Sequence, residues 1–256
     1  MMIDVNAYIG HWPFRKLMCN TPEGLDGIAK KASITHMLVS SLPAIFYKDT
    51  MQGNLELLEE LKSYNGETKL IPYAVINPTY PAWREDMARC VKELGFRGIE
   101  LCPVYHGYSP AREGAEAFCL AGELGVPVRI CAEFENIRQQ HRMDVHDAPN
   151  QDELAAMLSS ADTTLFLTGF CPAYFTPSLT AAVNARDNVF CDICRIDSFM
   201  DQTWERAFAL LGSKHLCFGS LSPFYYVDTN LVKLLYAPNT QEELDGIRYA
   251  NVQKYI

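Results

Sequence analysis

A single (β/α)8 barrel is the fold this sequence predicts, on three observations. Eight short apolar runs recur along the 256 residues, each separated from the next by a helical stretch. Glycine closes helices just before strands, at Leu94-Gly95 and Leu124-Gly125, and proline-rich loops follow strands, at Leu42-Pro43, Asn77-Pro78, Cys102-Pro103 and Cys171-Pro172. No Gly-x-Gly-x-x-Gly follows the first strand, so an open doubly wound sheet with a dinucleotide site is the weaker reading.

The predicted strands are 3–9, 35–41, 69–76, 98–102, 128–134, 164–169, 189–194 and 216–220. Each is short and rich in Val, Ile, Leu, Phe or Cys, as a strand buried in a parallel sheet should be. Helical stretches fall at 54–64, 83–94, 115–124, 151–160, 177–185 and 204–211, and the tail 241–256 reads as an extra C-terminal helix. With no repeat, linker or low-complexity segment, residues 1–256 are expected to form one domain.

Composition narrows the function. A chain 48% hydrophobic and 21% charged is globular, with enough apolar side chain for a sizeable core. A net charge of −9 argues against a nucleic-acid partner, which needs a basic stripe. No apolar run approaches the ~18–20 residues that span a bilayer, so no membrane partner is expected. The nine cysteines have no framework spacing and no secretory leader precedes them, which suggests reduced thiols in the cytoplasm. A small-molecule substrate is the expected partner; a homo-oligomer is compatible with the sequence, and no residue pattern sets its size.

Strand parity selects the side chains that should line the barrel. In the first strand Ile3, Val5, Ala7 and Ile9 suit the helix layer, leaving Asp4, Asn6 and Tyr8 inside. The fourth strand turns in Glu100 and Cys102, the fifth Arg129, Cys131 and Glu133, and the seventh Asp192 and Cys194. Buried charges are costly unless paired, so Arg129 is expected to bridge a carboxylate. Glu133 and Asp192 stand at C-terminal strand ends, where barrel enzymes hold their sites, and either could be a general acid or base. Tyr8 would donate a hydrogen bond, and Arg129 or Arg195 could hold a carboxylate in forked geometry. The alternative is an internal salt-bridge network with no chemistry.

Two loops add to the expected site. After the first strand comes Gly10-His11-Trp12-Pro13-Phe14-Arg15, in which His11 could act as an acid or base and Arg15 could recognise an anion. Trp12 and Phe14 either wall a pocket or plug the barrel end. His106, after the fourth strand, has a similar claim. Cys191 and Cys194 have Cys-x-x-Cys spacing, but positions three apart on a strand face opposite sides. His141 and His146 lie in a polar loop that reads as solvated.

Several segments in order resemble the amidohydrolase-2 family of barrels, decarboxylases and hydrolases of small carboxylated compounds. They are Asp4 on the first strand, Gly95-Phe96-Arg97-Gly98-Ile99-Glu100-Leu101, Glu123-Leu124-Gly125-Val126-Pro127-Val128, Phe218-Gly219-Ser220 with Pro223, and Asn251 near the end. The family pattern Asp-x-His-x-His here reads Asp4-Val5-Asn6-Ala7-Tyr8, and Phe-Gly-Ser-Asp-x-Pro reads Phe218-Gly219-Ser220-Leu221-Ser222-Pro223. The resemblance implies a divalent metal, and its ligand positions fall here on Asn6, Tyr8, Cys131, Thr168 and Leu221. A tightly held zinc generally needs three ligands from Cys, His, Asp or Glu. No metal and no cofactor is therefore carried over.

The leading expectation is a hydrolase or lyase that works without that metal on a small polar substrate carrying a carboxylate, carbonyl or lactone. Its catalytic residues would be Asp192, Glu133, His11 and Tyr8. Asn6, Trp12, Arg15, Glu100, His106, Arg129, Cys131 and Arg195 would bind substrate. Two alternatives stand beside it: a non-catalytic binding protein built on a decayed enzyme, and a metal site rebuilt from Cys131, Glu133, Asp192 and a loop histidine.

Overall fold

The computed structural model describes residues 1–136, 138–145, 147–196 and 202–256. Eight strands follow one another in spatial order β1 to β8, all parallel: β1 Ile3–Ile9, β2 His36–Ser41, β3 Lys69–Ile76, β4 Gly98–Leu101, β5 Val128–Cys131, β6 Leu165–Thr168, β7 Val189–Asp192 and β8 Leu216–Cys217. The ring closes where Val5 N donates to Phe218 O at 3.0 Å and Tyr8 N donates to Ser222 O at 2.8 Å. The structure is a single (β/α)8 barrel.

Eleven α-helices are described, α1 Pro22–Ala32, α2 Leu42–Phe46, α3 Thr50–Ser63, α4 Trp83–Lys92, α5 Pro103–His106, α6 Ala115–Glu123, α7 Gln151–Leu158, α8 Pro177–Asn184, α9 Thr203–Leu211, α10 Val227–Tyr236 and α11 Gln241–Asp245. Local chemistry starts them: the side chains of Thr21, Asp49, Asn150 and Thr176 accept from backbone N–H groups in the first turns of α1, α3, α7 and α8. The expected tail helix stops at Asp245, after which the backbone widens into a π turn over Gly246–Ala250. None of the described helices is long and apolar enough to cross a membrane.

One main core lies between strands and helices, and a second fills the lower barrel with Ile3, Val5, Leu38, Ile71, Tyr73, Phe166 and Phe190. Ile3 and Val5 correct the predicted parity. Three residue steps of β1, Asp4 to Ala7, run against two of β2, Met37 to Val39. This bulge turns Ile3 and Val5 towards the barrel interior while leaving Ala7 and Ile9 in the helix layer.

Strands are also shorter than predicted at their C-terminal ends. β5 stops at Cys131, so alternation no longer governs Glu133, which is exposed rather than turned inward. β7 stops at Asp192, yet Cys191 packs in the helix layer and Cys194 in the mouth, so the two thiols diverge as the strand geometry predicts. Cys19, Cys90, Cys102, Cys119, Cys131, Cys191, Cys194 and Cys217 are free thiols.

Candidate active site at the C-terminal face

The site builds upward in tiers along the barrel axis. Deepest is Arg129, fully buried and ion-paired with the buried Glu100. Its Nη1 donates to Val5 O and Leu38 O, each at 2.9 Å, and its Nη2 donates to Ser40 Oγ at 2.7 Å. With Nε on Glu100, four of the five guanidinium N–H donors are spent inside the barrel. The guanidinium also lies 4.6 Å from the Tyr8 ring centroid. Burial raises the pKa of Glu100 and Arg129 opposes that shift. Arg129 and Glu100 thus form an internal brace and are not turned to a ligand.

Above it lies a polar seam between β7 and β1. Asn6 Nδ2 donates to Asp192 Oδ2 at 2.7 Å, Gly169 N donates to Asp192 Oδ1 at 3.2 Å, and Cys194 Sγ lies 3.1 Å from the same oxygen. Asp4 Oδ1 accepts from Asn6 N at 3.0 Å and Ser220 N at 2.9 Å. All these carboxylates are fully buried. Burial pushes Asp4 up to about 6 and raises Asp192, although hydrogen bonds to Cys194, Asn6 and Gly169 partly restrain Asp192.

The mouth itself is filled. Tyr8, Trp12, Phe134, Leu221, Phe224, Cys131 and Cys194 pack as one buried cluster, with Phe14 and Tyr105 against it. The Trp12 ring has five aromatic neighbours, at 4.9 Å for Phe224, 5.2 Å for Phe46 and Phe134, 5.5 Å for Phe14 and 6.1 Å for Tyr105. Trp12 therefore plugs the barrel end. Burial pushes the Cys131 thiol up to about 12 and the Tyr8 phenol well above its ordinary value, which leaves both as neutral groups. His106 bonds Ile45 O through Nε2 at 3.0 Å, and burial pushes it down to about 4. His11 is exposed and stands apart from these groups.

The rim carries two ion pairs, each joining an exposed to a buried charge. Arg195 pairs with Glu133, donates to Glu135 O at 3.2 Å and meets Tyr225 Oη at 2.5 Å. Arg15 pairs with Glu135. Glu133 and Arg195 line a cleft of about 300 Å³ with Gly169, Phe170, Cys171 and Tyr174. Its wall is tied to the polar seam, because Gly169, whose amide bonds Asp192, is part of that wall. Of the twelve residues expected from the sequence, Glu133 and Arg195 meet at this cleft. Asp192 stands one peptide plane behind it, Trp12 is the plug, and Asn6, Tyr8 and Cys131 are buried beneath it. Glu135, Cys171 and Tyr174 were not predicted. The Gly-Phe-Cys-Pro run after β6 is the sequence signal that points to Cys171.

Residues 37–158 match the sequence pattern of the amidohydrolase family. The chain is similar to that family over this segment. Solved structures share the architecture of this barrel. A 2,6-dihydroxybenzoate decarboxylase from Rhizobium superposes with a TM-score of 0.71 at 14% identity, over 99% of this chain and 98% of that one. A dihydroxybenzoic acid decarboxylase from Polaromonas sp. JS666, with bound manganese and 2-nitroresorcinol, gives 0.71 at 15% over 99% and 96%. A 5-carboxyvanillate decarboxylase from Sphingomonas paucimobilis gives 0.70 at 9% over 99% and 98%. No curated protein matches the chain.

The five positions where the family resemblance places metal ligands do not fit such an ion in this protein. Leu221 has no donor atom and is fully buried, with its backbone held at φ 55°. Thr168 Oγ1 is 3.4 Å from Ile130 O. Cys131 is held as the thiol, and the Asn6 amide is turned to Asp192. Among the described residues no three His, Cys, Asp or Glu side chains gather as a metal site. His141 is exposed and stacks on Phe14 at 5.8 Å, and His146 lies outside the described residues.

Proposed function

We propose that this protein is an amidohydrolase-family hydrolase or lyase acting at the C-terminal face of its barrel, without a divalent metal. Its substrate is a small polar molecule with a carboxylate, carbonyl or lactone. The observation that carries the reading is the Glu133–Arg195 pair at the cleft of about 300 Å³. A substrate carboxylate entering the cleft finds a guanidinium fork in Arg195. Engaging that fork draws Arg195 from Glu133 and leaves the Glu133 carboxylate beside the substrate as general base or acid. Asp192 acts behind the wall: by accepting from Gly169 N it fixes the backbone that bounds the cleft. The names of the structural neighbours, decarboxylases of dihydroxybenzoate and carboxyvanillate, support a carboxylated substrate.

A second reading, a binding protein without turnover, is favoured by the aromatic filling of the mouth around Trp12. One experiment separates the two. Chelator-treated protein is incubated with a panel of small carboxylates, esters and lactones, and turnover and ligand-induced stabilisation are both recorded. Turnover that Glu133→Gln removes is the expected result. Turnover restored only by added manganese or zinc would overturn the metal-independent mechanism. Stabilisation without turnover across the panel would leave the binding protein.

A further inference from the structure

We infer that residues 10–20 are a hinged lid over the barrel mouth, with the Trp12 side chain as its plug and the Arg15–Glu135 pair as its latch. The neck is pinched by two hydrogen bonds: Gly10 N donates to Asn20 O at 2.8 Å, and Asn20 Nδ2 donates to Gly10 O at 2.7 Å. A surface loop whose ends are joined this way is an Ω-loop, able to move as a unit about its neck. Both ends sit at positive φ, 107° at Gly10 and 60° at Cys19. Side chains at the loop's tip reach groups that surround the mouth. Trp12 enters the ring of Phe46, Tyr105, Phe134 and Phe224, while Arg15 reaches Glu135 and donates to Phe224 O at 3.3 Å.

The closed arrangement has opposing terms of comparable kind. Aromatic burial and the ion pair hold it shut. Against them, Trp12 Nε1 and Glu135 Oε2 are both buried with no hydrogen-bond partner among the described residues, a cost that contact with water relieves on opening. The latch is reachable from outside, since the Arg15 side chain is 41% exposed. A plug designed purely for stability would not leave an indole N–H unpaired at its centre. Opening lifts Trp12 from its cage and uncovers Asn6, Cys131 and Cys194. This gating does not depend on the chemistry proposed for the cleft.

The buried thiols report on it. Cys102, Cys131 and Cys194 share a cluster with Trp12, whereas Cys90, Cys191 and Cys217 lie elsewhere in the core. Labelling by N-ethylmaleimide, read cysteine by cysteine by mass spectrometry, compares the native chain with Arg15→Ala. Loss of the latch leaves Glu135 buried and unpaired, so Cys131 and Cys194 should label about tenfold faster, with Cys90, Cys191 and Cys217 unchanged. No acceleration, or equal acceleration of all six, overturns the lid. Hydrogen exchange on the unmodified protein gives a second check. Amides of residues 11–19 should exchange by local opening, well ahead of Ile3–Ile9. Equal protection of the two segments would also overturn it.

Discussion

Asn6 and Asp192 meet at 2.7 Å across the top of β8, a bond that ties the first strand to the seventh. Gly219 makes it feasible, because a Cβ at that position would overlap the Asp192 carboxylate. In Asp192 one carboxylate also receives Gly169 N and the Cys194 thiol. Replacing it by an amide turns one acceptor into a donor facing another donor. Asp192→Asn should therefore cost about 2–3 kcal/mol, seen as a Tm lowered by roughly 5–10 °C. The exchanged pair, Asn6→Asp with Asp192→Asn, restores a donor opposite an acceptor. It should recover at least about 1 kcal/mol of that loss in a double-mutant cycle. A coupling energy near zero would show that the two residues act independently.

The barrel was legible in the sequence because eight apolar runs with glycine and proline punctuation report local preferences that the tertiary fold keeps. The site was legible only in part, for physical reasons that can be named. Parity along β1 fails at the bulge between Asp4 and Ala7, since an inserted residue has no local signature in a run of buried side chains. Glu133 was expected inside because the apolar run continues to Phe134, but the hydrogen-bonded strand ends at Cys131. Glu135 escaped notice because its partner Arg15 is 120 residues away, and pairing at that separation is set by the fold. The Arg129–Glu100 pair was foreseeable, since parity turned both charges into an interior that cannot leave them alone.

The pH dependence of stability should carry the mark of Asp4. Burial raises this carboxyl from 3.8 to about 6 in the folded protein. A raised folded pKa means that the native state holds the proton more tightly than the unfolded chain. The associated stability is full below about pH 4 and is lost as pH rises through 6, a fall of about 3 kcal/mol. Asp4→Asn cannot titrate, and its amide oxygen still accepts from Asn6 N and Ser220 N. Urea unfolding at pH 4, 5, 6 and 7 should show the native chain losing that stability relative to the variant. Parallel curves would contradict the raised pKa.

Arg129 and Glu100 should behave as a pair that is costly to break and cheap to replace. Arg129→Met leaves Glu100 buried beside Tyr8 and Ser40 without its cation, at a cost of about 3–5 kcal/mol. The double variant Arg129→Met, Glu100→Leu removes both charges and fills the space with apolar volume. It should regain most of that loss, and chemical denaturation of the three proteins measures it. If the double variant is as unstable as the single one, the bonds from Arg129 to Val5 O and Leu38 O outweigh the ion pair in holding the barrel together.

Glu133 separates a structural from a chemical role. Its side chain is 47% exposed and its partner Arg195 keeps other contacts, to Glu135 O and Tyr225. With the carboxylate half in solvent and the buried Arg195 still held by those contacts, the pair contributes about 0–1 kcal/mol, so Glu133→Gln should leave Tm within roughly 3 °C of the native value. As a general base or acid the same carboxylate would be worth about 10²–10⁴ in kcat, and the glutamine, which cannot take up a proton, forfeits all of it. Arg195→Lys keeps the charge and loses the fork, so it should raise KM for a carboxylated substrate more than it lowers kcat. A Glu133→Gln protein that keeps its full kcat would move the chemistry away from the rim and towards the polar groups beneath Trp12.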